Sequence, residues 1–423
     1  MRFILLPVLL IAITAAADEP RWYKGNTHTH SLWSDGNDFP EMISAWYKDH
    51  GYDFLCMSDH NTLAEGDKWV AEATIEKKKM TLGKKVIDKC KARYGDDWLV
   101  TRTDEKGGLE VKLKTLEEYR GKLEEPGKFL LVQAEEVTGG FAKSPIHINA
   151  LNITEAIEPV KDLVSIRETI RKNLQNIAAQ AAKTGRPIMA HVNHPNFRWG
   201  ISAEDLAHVI EDKFFEVYNG HPMTYPEGDP LRADTSTDRM WDIASTIRLV
   251  ELKQPPLYAL GTDDSHHYHG GTATSGRGWV MVKSDRLDPN ALVEAMQRGD
   301  FYASCGVTLE DVSFDPATRK LTVKIKGEPG VKYTTEFRGT PKNYDRAVKE
   351  VPAPADDNYP VRLKHSEDVG KLLASSESLE SSYQMTGDEL YVRAIIISDK
   401  VMDNPATPGQ LQKAWTQPVG WQP

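Results

Sequence analysis

Between residues 22 and 306, short apolar runs alternate with segments of helical period, and that alternation restricts the chain to few architectures. Residues 40–50 place Ile43, Trp46 and Tyr47 near helical spacing, with Pro40 at the start and Gly51 just after, which predicts a helix. Residues 52–58 follow as an apolar strand. The cycle recurs as a helix over 163–183 closed by Gly185, a strand over 186–192, and a helix opened by the capping-box-like pair Ser202 and Asp205. Strands over 214–218 and 257–261 flank a helix over 238–249. Strands over 279–282 and 301–304 flank a helix over 289–298. Strands separated by helices imply βαβ units and a largely parallel sheet. From about residue 310 the period changes to two, as in 321–325, 333–337 and 390–397, with turn residues between. Residues 309–423 are therefore expected to form a small β-sandwich-like domain, with 414–418 as a final edge strand.

Residues 64–126 break the series. They are rich in Lys, Glu and Asp and read as an insertion, either a lid over whatever site lies beside it or a surface decoration. The N-terminus has the three parts of a secretory signal: Arg2, an apolar run over residues 3–13, and Ala15-Ala16-Ala17. Residues 1–17 are thus expected to be removed on export to the periplasm or medium, with no membrane segment left in the mature chain. The net charge of −10 argues against nucleic acid as a partner. A small anionic substrate remains compatible, because bound cations outweigh the global field locally. Cys56, Cys90 and Cys305 are too few and too far apart for a disulfide framework or a thiolate metal site.

The histidines are distributed with a pattern. His28 and His30, in Thr27-His28-Thr29-His30, share one face of an extended chain and can bind one metal together. Asp35 lies on the next loop, in Ser34-Asp35-Gly36. Asp59-His60-Asn61 follows an apolar run, and 130–134 runs into Glu135-Glu136-Val137-Thr138. His147 sits in Ile146-His147-Ile148-Asn149, His191 and His194 in His191-Val192-Asn193-His194-Pro195, and Asp264 and His266 in Asp263-Asp264-Ser265-His266. Any one of these has a bland explanation. Together they bring ligand-type side chains to successive strand ends, where barrel enzymes build their sites. Burying so many ionisable groups without cations leaves repelling carboxylates and unpaired imidazoles.

In this order the motifs H-x-H, S-D-G, D-H-N, E-V-T, H-x-N-A-L, H-P and D-x-H resemble the PHP family, the polymerase and histidinol phosphatase metallohydrolases. The resemblance spans residues 24 to about 306 and implies an α/β fold, a distorted (β/α)₇ TIM-like barrel, over 22–308. It also implies two or three divalent ions, Zn, Mn or Fe. His28, His30, Glu136 and Asp264 would hold the first metal. Glu136 would bridge to a second, completed by His147 and His194. Asp35, His60 and His266 would form a third site, although Asp35 stands where some relatives carry His. Glu135 competes with Glu136, and His191 with His194, as ligands.

Such a centre makes a metal-bridged hydroxide available at neutral pH. Asp59 or His191 would carry protons or orient ligands, and Arg277 would clamp an anionic group. Arg198, Asn219 and His221 are further candidates for the mouth, whereas His267 and His269 read as flanking loop residues. The expected activity is phosphoester hydrolysis. The alternative is hydrolysis of carboxylic esters, carbamates or amides, since the family has exported members of that kind with a trailing β domain. A third reading is a binding protein that uses Trp415, Trp421 and Tyr391 of the C-terminal domain.

Overall fold

The computed structural model describes residues 19–78, 86–161 and 163–422, so the expected export segment lies outside the described residues. Among those residues no helix is long and apolar enough to cross a membrane. The first part of the chain supplies strands β1 (Arg21–Asn26), β2 (Phe54–Met57), β3 (Leu130–Phe141), β4 (Ser144–Leu151), β5 (Met189–Val192), β6 (Phe214–Asn219), β7 (Tyr258–Thr262), β8 (Trp279–Ser284) and β9 (Phe301–Ser304). They lie in the order β7-β6-β5-β4-β3-β2-β1-β8-β9. The same sheet continues from β9 into Leu411–Thr416, Arg393–Val401, Tyr333–Gly339 and Lys371–Ser376, giving thirteen strands. The protein is thus mixed α/β, with one large central sheet and an additional β layer.

The sheet is less parallel than expected. β1, β2 and β3 run parallel, as do β5, β6 and β7, but β4 is antiparallel to both its neighbours. The reversal of β4 comes from a hairpin with β3 whose tip places Ala142 at φ 53°, a left-handed turn without the Gly or Asn that usually marks one, and β8 is likewise antiparallel to β1 and β9. The described ladder does not run continuously around a barrel. β7 passes β8 and β9 without pairing, so close that a Cβ on Gly261 would lie 3.0 Å from the Trp279 carbonyl and 3.1 Å from that of Ser304. The free edge of β7 is satisfied by one side chain. Gln417 Oε1 accepts from Ala259 N at 2.9 Å, and its Nε2 donates to Ala259 O at 3.0 Å.

Helices α1 (Pro40–Asp49), α2 (Ile166–Thr184), α3 (Ala203–His208), α4 (Thr237–Ile247) and α5 (Pro289–Arg298) form where the helical period placed them. α2 starts on a Ser165 cap and ends on left-handed Gly185. Its Ile170, Leu174 and Ile177 bury against Ile148 and Val192 of the sheet. Each such side chain contributes about 1.5–3 kcal/mol by leaving water.

The insertion packs sideways onto α1. Its Ile75, Val86, Cys90, Leu99 and Val111 share a core with Leu32, Trp33, Phe39 and Met42. This contact buries Glu41 completely, with Oε1 accepting from Trp98 Nε1 at 2.8 Å. Burial pushes the Glu41 carboxyl up from 4.5 to about 7. The folded chain therefore keeps a proton between pH 4.5 and 7 that the unfolded chain releases. Its contribution to stability is present below that window and is lost as pH rises through it. Relative to Glu41→Gln, the wild type should lose up to about 3 kcal/mol between pH 4.5 and 8, measured by urea unfolding at each pH.

In the C-terminal part, a three-stranded sheet (Leu309–Asp315, Lys320–Ile325, Glu380–Gln384) packs on the extended central sheet. Leu309, Val323, Tyr333, Phe337, Ile396 and Ala414 fill the space between them. The segment read as an edge strand is interior: Leu411–Thr416 pairs with β9 on one side and Arg393–Val401 on the other. Tyr391 and Trp415 are buried, so neither offers a binding surface.

Candidate metal centre

The segments that follow β1, β2 and β7 meet at one end of the sheet. Asp264 N donates to His28 O and His30 N to Ser265 O, each at 3.0 Å. Ser58 N donates to Thr29 O at 2.9 Å, and Asn61 N to Glu136 O at 3.0 Å. Asn61 also exchanges side-chain hydrogen bonds with the Thr138 backbone, which fixes β3 against the loop after β2. The loop bearing Asp35 folds back on His30 because residue 36 is glycine. A Cβ there would sit 2.4 Å from the His30 carbonyl oxygen.

This backbone brings ligand-type side chains from distant parts of the chain together. Glu136 Oε2 lies 2.6 Å from His60 Nδ1, and Oε1 lies 3.0 Å from His147 Nδ1. His28 Nε2 is 3.3 Å from both Glu136 Oε1 and Asp264 Oδ1. His30 Nε2 is 3.2 Å from Asp264 Oδ1, and His194 Nε2 is 3.4 Å from Glu136 Oε1. Asp35 reaches His266 Nε2 at 3.3 Å and His60 Nε2 at 3.6 Å. Four overlapping groups place one donor atom per residue within 4.8 Å of the others. They are His30, Asp35, His60 and His266; His28, His194 and Asp264; His28, His30 and Glu136; and His60, Glu136 and His147.

Two observations test whether cations fit. A tetrahedral metal with bonds near 2.1 Å separates its donors by about 3.4 Å, close to the spacings here. And His28 Nε2 and both ring nitrogens of His30 are buried without a hydrogen-bond partner. Native proteins rarely leave such atoms unsatisfied. The residues therefore suit divalent ions.

The electrostatics point the same way. Burial opposes charge on His28, but the carboxylates of Asp264, Glu216 and Glu136 outweigh it and raise its pKa well above the usual value. Burial, reinforced by His266 and His60, lowers His30 to about 3. A cation would replace the proton that the carboxylates now draw onto His28.

Register along β3 separates the two glutamates. Glu136 faces the cluster, whereas Glu135 points to the other side, where Oε2 accepts from Ile157 N at 2.8 Å. His194 joins the cluster. His191 lies beneath it, fully buried, with neither ring nitrogen hydrogen-bonded and Nδ1 3.8 Å from Glu216. His191 does not line the cavity, so a proton-carrying role there has no geometric basis. Asp59 does not line it either. Its carboxylate accepts from Ser31 N, Ser31 Oγ and Ser34 Oγ at 2.6–2.7 Å and thereby fastens the loop carrying Asp35. Arg277 is a clearer correction. Its guanidinium donates to the carbonyls of Gly220 (2.7 Å), Thr272 and Asn404 (3.2 Å), so it braces loops and is no anion clamp.

A cavity of about 380 Å³ opens over the cluster. Its walls include His221, His267, Thr138, Phe197, Met223 and Thr224 besides the ligand-type residues. No described residue of the insertion lines it, so those residues form no lid. The ring of His267 accepts at Nδ1 from Thr272 N and Ala273 N, each at 3.1 Å, and that of His221 accepts from Met223 N at 3.3 Å. When neutral, each ring then carries its proton on Nε2. Burial lowers His221 to about 4, so it is neutral at pH 7.

Glu216, in the middle of β6, was not singled out by sequence. It accepts from His28 Nδ1 at 2.7 Å, His194 N at 2.8 Å, Asn219 Nδ2 at 2.8 Å and Thr262 Oγ1 at 2.9 Å. It thus turns His28 Nε2 toward the cluster, the usual service of a carboxylate behind a metal-ligating histidine. The available signal was a lone carboxylate in the apolar run Phe214-Phe215-Glu216-Val217-Tyr218. Glu216→Gln should weaken metal affinity by about 10–100-fold, with activity restored at excess metal. Metal titration followed by assay at saturation checks this, since a merely structural defect would not be rescued.

No protein-family model and no curated protein matches the sequence. Among solved structures, the chain is similar to a two-domain protein containing a predicted PHP-like metal-dependent phosphoesterase from Bacteroides vulgatus. That match has 14% identity and a TM-score of 0.40, over 94% of this chain and 95% of the other. It is also similar to a candidate metal-dependent phosphoesterase from Bifidobacterium adolescentis, with 13% identity and a TM-score of 0.34, over 66% of this chain and 98% of the other.

Proposed function

We propose that the chain is an exported, metal-dependent phosphoesterase of PHP type, built on a distorted (β/α)₇ barrel. The carrying observation is the convergence of buried His28, His30, Glu136, His194 and Asp264 at an open cavity, with ring nitrogens of His28 and His30 left without hydrogen bonds. His28, His30, Glu136 and Asp264 would hold one cation, and Glu136, His147 and His194 a second. Asp35, His60 and His266 would hold a third. Bound divalent ions supply Lewis acidity and water of lowered pKa. The chain's own residues do the rest. Glu216 and Asn193 fix the orientation of His28 and Glu136, with Asn193 Nδ2 donating to Glu136 Oε1 at 2.8 Å. His221 and His267 offer Nε2–H donors to substrate oxygens.

The alternative, cleavage of carboxylic esters or amides, draws on the walls of the cavity, where no Lys or Arg stands among the described residues. Metal-loaded protein should cleave nitrophenyl phosphate or bis-nitrophenyl phosphate and contain at least two metal equivalents by elemental analysis. Brisk cleavage of nitrophenyl acetate with both phosphates inert selects the alternative. Less than two equivalents after reconstitution overturns the metal centre.

A further inference from the structure

A second cleft of about 640 Å³ adjoins the metal cavity, and Phe197 and Met223 line both. A molecule reacting at the metals can therefore extend into it without leaving the protein surface. Its floor is aromatic. Tyr225 stacks on Trp199 with ring centroids 5.1 Å apart and planes at 15°, and the Arg232 guanidinium lies 4.5 Å from the Trp199 ring centroid. Met223 and Tyr225 are 48% and 46% exposed, large values for an apolar and an aromatic side chain beside a buried centre. Lys143 and Arg198, both exposed, add positive charge to the rim, and the one carboxylate lining the cleft, that of Asp356, is paired with Arg232.

The wall is held in an unfavourable shape. Arg198, Trp199 and Tyr225 have φ of 50°, 55° and 43°, left-handed values that L-residues avoid. Polar anchors keep them there, two of them from the ribbon formed by Val348–Pro352 and Val361–His365 and its turn. Asn358 Nδ2 donates to Arg198 O at 2.7 Å, Arg362 Nη2 to Trp199 O at 3.0 Å, and Asn196 Nδ2 to Tyr225 O at 3.0 Å. The C-terminal part of the chain thus shapes a surface next to the reacting centre.

We propose that this cleft is a subsite for a planar aromatic leaving group, so that the substrates are aryl esters. This rests on the phosphoesterase reading for the reacting end only. An aromatic ring stacks on Tyr225 and Met223, and the rim cations favour negative charge on the departing group. The test is calorimetric binding of two unreactive phosphonates to metal-loaded protein. Phenylphosphonate should bind about tenfold more tightly than methylphosphonate, and the preference should fall below about threefold in Tyr225→Ala and in Met223→Ala. Using two exposed positions guards against one variant failing to fold. Equal affinities in the wild type, or a preference untouched by both substitutions, overturn the subsite. If neither phosphonate binds, the phosphoryl reading falls instead. The cleft is then decided by saturation-transfer NMR with 4-nitrophenol alone, whose signal must weaken severalfold in both variants for the subsite to stand.

Discussion

Glu136→Gln is expected to lower turnover by on the order of a thousandfold and to cut the bound metal below two equivalents. The substitution keeps size and shape while removing one negative charge from the point where His28, His30, His60, His147 and His194 converge. Three of the four donor groups lose a member or a neighbour at once, because Glu136 belongs to two of them and its partner His28 to a third. The Gln amide also brings N–H donors toward imidazole nitrogens that must present lone pairs to a cation. Elemental analysis separates loss of metal from loss of chemistry, and unchanged thermal unfolding of the metal-free variant would exclude a folding defect. Turnover within tenfold of wild type would remove Glu136 from the centre.

Arg393→Met is expected to cost about 3–5 kcal/mol of stability, because it strands a buried carboxylate. Arg393 is fully buried, and its Nε and Nη2 donate to the two oxygens of Asp242 on α4 at 2.8 and 2.7 Å. Tyr391 OH donates to the same carboxylate at 2.7 Å, and Arg393 Nη1 reaches Asp238 at 3.1 Å. Flanking Asp242 raises the Arg393 pKa despite burial, so the guanidinium stays charged at every working pH. Removing the cation leaves Asp242 without water or counter-charge. Removing both members should restore much of the loss, since a buried pair contributes little net stability over apolar side chains of similar volume. Urea unfolding of Arg393→Met and of Arg393→Met/Asp242→Leu checks both. A single variant within 1 kcal/mol of wild type would contradict the account.

What could be read from the sequence follows from how each feature is encoded. The Asp59-His60-Asn61 run and the Asp264–His266 pair follow short apolar stretches, so local pattern placed them at strand ends, and His28 and His30 were legible from their i, i+2 spacing. α5 runs over Pro289–Arg298 as expected because Asp288, Pro289 and Gly299 mark both ends. The β3–β4 hairpin escaped notice because its tip is Ala142-Lys143, whose left-handed turn has no compositional marker. Glu216 and Arg277 show the opposite difficulty. Whether a charged side chain faces a cavity or a set of carbonyls depends on partners dozens of residues away, such as His28 for one and Asn404 for the other. The partner of the β7 edge was equally hidden, since Ala259 is met by a glutamine amide more than 150 residues later.

That glutamine, and the strand Leu411–Thr416 before it, carry a consequence for biogenesis. Both flanking strands of Leu411–Thr416 precede it in the chain, and until it slides between them β9 and Arg393–Val401 each expose a bare row of amides and carbonyls. Translation must therefore nearly finish before the sheet can be completed, and a product cut short ahead of Leu411 keeps two adhesive edges that invite self-association.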